Sequence, residues 1–251
     1  MLRGLWTLTW LEAKIFFREP LGVVANVAVP VALFLVLGRV LAGEIDPASA
    51  SAANLRLISV KIPVFAALLI ALSAVVSIVA IISIYRESGV LKRLFATPLR
   101  PHTIFAAHVL VKLALTATTI ILLVVAGRNF YPATVNLPLV SFVGALLFAT
   151  TAILAVGFLI SSVVPTARFA QPLASLVLYP MIGLSGLFVP IDELPAFWQL
   201  IARLLPLTYV VSLLEGIWSG NPWSAHSGDM LALVMVFFVS ILIAASVFRW
   251  E

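Results

Sequence analysis

Cysteine is absent from the 251-residue chain, and charged side chains make up only 10% of it. Without cysteine the protein has no disulfide bond, no thiolate metal site and no cysteine nucleophile. A soluble domain has about a quarter of its residues charged. This chain instead has 63% hydrophobic residues and a mean hydropathy of +1.20. The composition therefore excludes a soluble globular protein and predicts a protein of the membrane.

Motifs for bound cofactors and for hydrolytic chemistry are also missing. None of the four lysines (Lys14, Lys61, Lys92 and Lys112) follows a glycine, so the chain has no phosphate-binding loop of the Walker A type. The three histidines are scattered and form no His-Glu-x-x-His run. We therefore expect no catalytic residue, no metal site and no cofactor in this chain. If ATP drives the protein, another chain binds it.

Six long and mostly apolar runs follow one another along the sequence. A membrane-crossing helix needs about 20 such residues, and the remaining length leaves no room for a large domain outside the membrane. The predicted fold is an all-α polytopic membrane protein with a single transmembrane domain, residues 1–251. The predicted spans lie at about residues 21–41, 60–84, 104–126, 137–160, 169–189 and 231–248.

The loop charges predict the orientation of these spans. An even number of spans puts both termini on one side of the membrane. With both termini in the cytoplasm, nine basic residues lie in inner segments and five in outer segments, as the positive-inside rule requires. The net charge of +5 thus reports orientation in a cell membrane, and we expect the bilayer, not nucleic acid, as its partner.

Residues 1–19 have the periodicity of an amphipathic helix. Arg3, Lys14 and Arg18 fall on one side of the helix, and Trp6 and Trp10 fall on the opposite side. Such a segment is expected to lie in the cytoplasmic headgroup layer before the first span. It either braces a soluble partner or serves only as an anchor.

A second amphipathic helix is predicted between the second and third spans, at residues 86–98. Val90, Leu91, Leu94 and Phe95 form a narrow apolar stripe, and Pro98 ends the helix because it has no backbone N–H group. The stripe is suited to the groove of a soluble partner. The alternative is a loop close to the membrane whose basic residues only set the orientation.

The segment from Arg86 to Leu99, Arg-Glu-Ser-Gly-Val-Leu-Lys-Arg-Leu-Phe-Ala-Thr-Pro-Leu, resembles the cytoplasmic signature of type-2 ATP-binding-cassette exporter permeases. These are the membrane subunits of drug-resistance and polysaccharide exporters. Ser-Gly-Leu-Phe-Val-Pro at 185–190 and Leu-Pro-Leu-Thr-Tyr at 205–209 resemble the family's segment after the fifth span. The similarity runs through the whole chain in order, and the absence of a large outer domain matches the compact branch of the family.

This resemblance implies a partner protein and an energy source for transport. Residues 86–98 would be a coupling helix that docks on an ATP-binding-cassette ATPase subunit, which holds the ATP and magnesium. A second permease copy, identical or a paralogue, would complete the substrate path. The exported substrate would be a drug, a lipid or a lipid-linked glycan. The implied partner-binding residues are Glu87, Gly89, Val90, Leu91, Arg93, Leu94, Phe95, Thr97 and Pro98.

The region around the fifth span is expected to be irregular. Pro172, Pro180, Gly183 and Gly186 favour kinks there. The outer segment 190–222 is rich in aromatic and apolar residues, which suits re-entrant helices, one at residues 194–205 and one at 209–218. Its role is either a gate or a lid that only seals the bundle. The candidate gate residues are Phe188, Trp198 and Tyr209.

Three other functions remain open from the residues alone. A secondary transporter would use Lys112, His108 and Glu215 as ion or proton sites. An intramembrane protease of the rhomboid kind would use Ser185, in Gly-Leu-Ser-Gly, with His226 as its base. A scaffold or assembly protein would show no stimulation of an ATPase.

Overall fold

The computed structural model describes residues 2–18, 24–32, 35–36, 64, 68–69, 71–72, 75–85, 87–89, 101–130, 139–164 and 166–247. Within these residues every regular element is helical, which agrees with the predicted all-α class. The helices are α1 (Leu2–Arg18), α2 (Val75–Tyr85), α3 (Pro101–Phe130), α4 (Leu139–Val163), α5 (Ala167–Gly183), α6 (Ala196–Leu204), α7 (Pro206–Trp218) and α8 (Ser227–Val247). Short elements are a π-helical turn at Val24–Ala28 and 3-10 turns at Ile191–Glu193 and Trp223–His226.

The long apolar helices coincide with several predicted spans. In the described part of the chain, Val140–Val163 and Trp223–Val247 are long and apolar enough to cross a membrane. The pair α6 and α7 would add a third crossing if the two helices, bent by 84° at their junction, form one broken span. Helix α3 covers the predicted span 104–126. Spans 21–41 and 60–84 are only partly described, so the total of six spans stays a prediction.

Helix α4 lies at the centre of the bundle. It packs against α3, α5, α7 and α8, while α1 packs along α3. Leu146 and Leu154 of α4 and Leu213 of α7 are completely buried. In a membrane such contacts stabilise by close packing of side chains, because lipid tails are as apolar as leucine. Helix α7 is therefore an integral part of the bundle.

The fifth span differs from the prediction in where its irregularity lies. Helix α5 continues through Pro172 and Pro180 and ends at Gly183, so the helix Ala167–Gly183 covers most of the predicted span 169–189. A proline removes one backbone donor, and neighbouring helices in a membrane bundle can compensate for this loss. The chain becomes irregular only after Gly183, where Gly186 has a φ of +86°.

Candidate functional site

A buried polar cluster joins three helices at the predicted inner side of the molecule. The hydroxyl of Tyr85, the last residue of α2, donates a hydrogen bond of 2.7 Å to Oε1 of Glu12 on α1. The other carboxylate oxygen, Oε2, lies 3.4 Å from Nδ1 of His108 on α3. Glu12 and His108 are both buried. We call Glu12, Tyr85 and His108 the inner cluster.

The face that α1 turns toward the bundle brings Glu12 into this cluster. Leu5, Thr9, Glu12 and Phe16 recur at helical spacing and are all at least half-buried. Their common face packs along α3.

The exposure of the α1 side chains can be compared with the two faces predicted from the sequence, whose position at the membrane interface stays a prediction. Lys14 and Arg18 are exposed as expected, and the side chain of Arg3 lies outside the described residues. Trp6 and Trp10, which the periodicity put on the apolar face, are 73% and 67% exposed. The packed face is therefore rotated toward Glu12, whose charge made it a poor candidate for burial.

The surroundings of Glu12 act on its ionisation in opposing directions. Burial raises the pKa of the Glu12 carboxyl, while the hydrogen bond from Tyr85 and the positive charge of Lys112 act to lower it. The Lys112 ammonium lies 5.0 Å from the centre of the Phe16 ring, a cation–π contact that adds a second link between α3 and α1. Lys112 and His108, which the sequence suggested as possible ion sites, thus contact the N-terminal helix.

The predicted coupling segment begins directly after the inner cluster. Glu87 is helical, and Ser88 and Gly89 form a turn in which Gly89 has a φ of +69°, a conformation that glycine adopts most easily. This turn lies near the beginning of the predicted coupling helix, residues 86–98. Val90, Leu91, Arg93, Leu94, Phe95, Thr97 and Pro98 lie outside the described residues, so the helix and its docking role stay predictions.

Helices α6 and α7 meet in a sharp corner. Two backbone carbonyls near the end of α6 accept hydrogen bonds from side chains of α7. The Thr208 hydroxyl donates to the carbonyl of Ala202 at 2.6 Å, and the Tyr209 hydroxyl donates to the carbonyl of Arg203 at 2.6 Å. Pro206 is the first residue of α7, where its missing N–H group leaves no bond unmade. These hydroxyls replace the bonds that α6 loses by ending, as a membrane environment requires.

The three candidate gate residues have different surroundings. Phe188 and Trp198 are exposed. The rings of Trp198 and Phe197 pack edge to face, with 5.5 Å between their centres. Tyr209 is half-buried and holds the corner by its hydroxyl. Phe188 and Trp198 are thus surface residues, whereas Tyr209 caps the end of α6. The role of the three residues as a gate stays a prediction.

An outer polar cluster links α7 to the start of α8. Asp229 accepts a 2.8 Å hydrogen bond from the Ser212 hydroxyl, and the same oxygen lies 2.9 Å from Nδ1 of His226. The His226 ring packs on Gly216, where an added Cβ would overlap the ring. We call Ser212, Gly216, His226 and Asp229 the outer cluster. The sequence suggested only one role for His226, that of a protease base.

The structure gives Ser185 a local partner. Its hydroxyl donates to the carbonyl of Ile182 at 2.7 Å, and its oxygen lies 3.4 Å from the backbone nitrogen of Leu187. A serine nucleophile requires a base that accepts its proton. His226 contacts Asp229 through Nδ1, and its Nε2 lies against Gly216 and makes no hydrogen bond with Ser185. This geometry is typical of a serine that satisfies a turn, and it gives no support to the protease alternative.

One family profile and several known proteins match parts of this chain. The profile of the ABC-2 type transporter family matches residues 3–218. The chain is 32% identical over 108 residues to nodulation protein J of Rhizobium leguminosarum bv. trifolii, covering 41% of this chain and 39% of that protein. It is 34% identical over 86 residues to nodulation protein J of Neorhizobium galegae, with 33% of each chain covered. The matched regions thus span well under half of the length of these relatives.

Proposed function

Because the chain belongs to the ABC-2 type transporter family, we propose that it is the permease subunit of an ATP-driven exporter. Two permeases, identical or paralogous, would form one substrate path and bind two ATP-binding subunits. The observation that carries this proposal is the family match over residues 3–218. The family is one of membrane transport subunits, and the absence of a phosphate-binding loop from this sequence supports a separate ATP-binding subunit.

The proposed mechanism converts closure of the ATP-binding subunits into movement of helices. The segment 86–98 docks on the partner through Leu94 and its apolar neighbours, with Glu87 and Arg93 as flanking charges. Closure of the partner then moves the ends of the second and third spans, and a path opens between the two permeases. Phe188, Trp198 and Tyr209 close that path on the outer side.

The apolar character of the chain favours a hydrophobic or amphipathic substrate. A drug, a lipid or a lipid-linked glycan could move from the cytoplasm or the inner leaflet along such a path. Both termini lie in the cytoplasm in this proposal, and α1 lies in the inner headgroup layer. Trp6 and Trp10, which are exposed, would then contact lipid headgroups, as tryptophans at membrane interfaces do.

Copurification with an ATP-binding subunit tests the proposal. Charge reversal at Glu87 or Arg93, or the change Leu94→Asp, is expected to weaken partner binding and to abolish stimulation of the partner's ATPase. Membrane insertion should persist because none of the three positions lies in a predicted span. The control is Glu193→Lys, a charge reversal at an exposed residue of the outer segment, which should change neither readout. Normal assembly and ATPase stimulation in all three inner variants would contradict the docking role.

Thiol labelling of intact cells tests the orientation. The natural chain has no cysteine, so single cysteines at Ser88 and Ser224, both exposed, report without background. An impermeant reagent should label the cysteine at 224 in intact cells and the cysteine at 88 only after permeabilisation. The reverse pattern would overturn the cytoplasmic placement of the termini.

A further inference from the structure

The inner cluster lies where the predicted coupling segment joins the bundle. Tyr85 ends α2, two residues before Glu87, and His108 lies about two turns into α3, which begins at Pro101. The helices α2 and α3 therefore bracket the segment from residue 86 to residue 100. Glu12 is the group from a third helix that contacts both of them.

Each carboxylate oxygen of Glu12 contacts a different helix. Oε1 accepts the hydrogen bond from Tyr85 on α2, and Oε2 faces Nδ1 of His108 on α3. Lys112, one turn after His108, lies over Phe16 of α1, so α1 and α3 are linked at two successive turns. Burying a carboxylate costs free energy unless polar partners contact it. Separating Glu12 from Tyr85 and His108 would therefore leave a buried carboxylate without these partners, which is unfavourable.

We propose that Glu12 is a positioning residue that clamps α1 to the two helices bracketing the coupling segment. Movement of that segment then carries α1, the end of α2 and the beginning of α3 as one unit. This inference rests on the proposed function for the source of the movement. The clamp itself rests on the geometry of Glu12, Tyr85 and His108.

A distance measurement between spin labels tests the clamp. Cysteines at Leu11 on α1 and Leu110 on α3, both exposed and outside the inner cluster, carry the labels. The complex with the copurifying ATP-binding subunit is measured without nucleotide and with ATP and vanadate. In the natural background the distance distribution should stay narrow and equal in both states, because α1 and α3 move together.

Three variants in the doubly labelled chain separate a clamp from general packing. Glu12→Leu keeps the side-chain bulk but leaves Tyr85 and His108 without their acceptor, so a second population of distances should appear. Tyr85→Phe removes one hydrogen bond and should raise the population of detached α1 about fivefold, as loss of a net contribution near 1 kcal/mol implies. Glu12→Gln keeps an acceptor oxygen for Tyr85 and should restore the narrow distribution. Glu193→Gln, at an exposed residue of the outer segment, is the control.

The outcomes distinguish the clamp from the proposed function. If Glu12→Leu and Tyr85→Phe both assemble, support the partner's ATPase and show the natural distance distribution, the clamp is wrong and the exporter proposal stands. If no ATP-binding subunit copurifies even with the natural chain, the proposed function is wrong. The same variants are then measured in the permease alone, and an unchanged distribution of spin-label distances would overturn the clamp.

Discussion

The inner and outer polar clusters differ in how far apart in the sequence their members lie. Glu12 and Tyr85 of the inner cluster are separated by 73 positions along the chain. Ser212 and Asp229 of the outer cluster are separated by 17 positions, on α7 and the beginning of α8. The inner cluster therefore forms only when three distant helices meet, whereas the outer cluster stabilises a local turn between consecutive helices.

This difference indicates that α1, held by the inner cluster, can separate from the bundle more easily than α7, which is linked to the outer cluster. The outer cluster is linked to α7, whose buried face is part of the bundle core. The inner cluster binds α1, which packs mainly along α3, to the rest of the bundle. Loss of the inner contacts should free one helix, while loss of the outer contacts should disturb the core itself.

The largest effect is expected at the inner cluster. Glu12→Ala removes the acceptor of the Tyr85 hydrogen bond and the carboxylate that faces the buried His108 ring, which should lower the free energy of unfolding by about 3 kcal/mol. The measurement is unfolding by SDS titration in mixed micelles. Glu193→Ala, at an exposed acidic residue, should stay within about 0.5 kcal/mol of the natural protein. Equal values for the two variants would mean that the inner cluster adds nothing to stability.

A smaller effect is expected at the outer cluster. In Gly216→Ala the new methyl group overlaps the His226 ring, and the required shift should cost about 2 kcal/mol. Gly183→Ala is the matched control, because a Cβ at Gly183 meets no atom within 4 Å in the described structure. The double variant Gly216→Ala with His226→Ala should recover part of the loss, since the clash is then absent. If Gly216→Ala and Gly183→Ala behave alike, His226 does not pack on Gly216.

The smallest effect is expected at Ser185, a buried hydroxyl that belongs to neither cluster. Its partner is the carbonyl of Ile182 in the same turn, so Ser185→Ala should cost about 1 kcal/mol or less. The complex should keep its ATPase stimulation. A protease nucleophile would instead lose about three or more orders of magnitude in rate. Stimulation that falls to the level of a complex with an inactive ATP-binding subunit, while assembly persists, would give the hydroxyl a direct role.

The sequence predicted the long helices well because their signal is local. The uncharged stretches within 104–126, 137–160 and 231–248 are each long enough to form a helix, and α3, α4 and α8 cover them almost completely. The second helix of the outer segment was predicted to begin at residue 209, but α7 begins at Pro206, because proline is favoured at the first turn of a helix.

The clusters were harder to predict because their signal is not local. An acidic residue at position 12 of an amphipathic helix is normally expected to face water, and its partner Tyr85 lies 73 positions away. His226 and Asp229 are three positions apart, a spacing that could have indicated their contact. The capping of Arg203 by Tyr209 depends on the angle of the corner, which no local pattern specifies.

The corner between α6 and α7 also limits how deep this part of the chain can extend. With a rise of 1.5 Å per residue, the nine residues of α6 are roughly 14 Å long and the thirteen of α7 roughly 20 Å long. Two arms of those lengths at 84° reach at most about 25 Å from end to end, less than the roughly 30 Å thickness of the hydrocarbon layer. This short reach favours a re-entrant segment over one broken span.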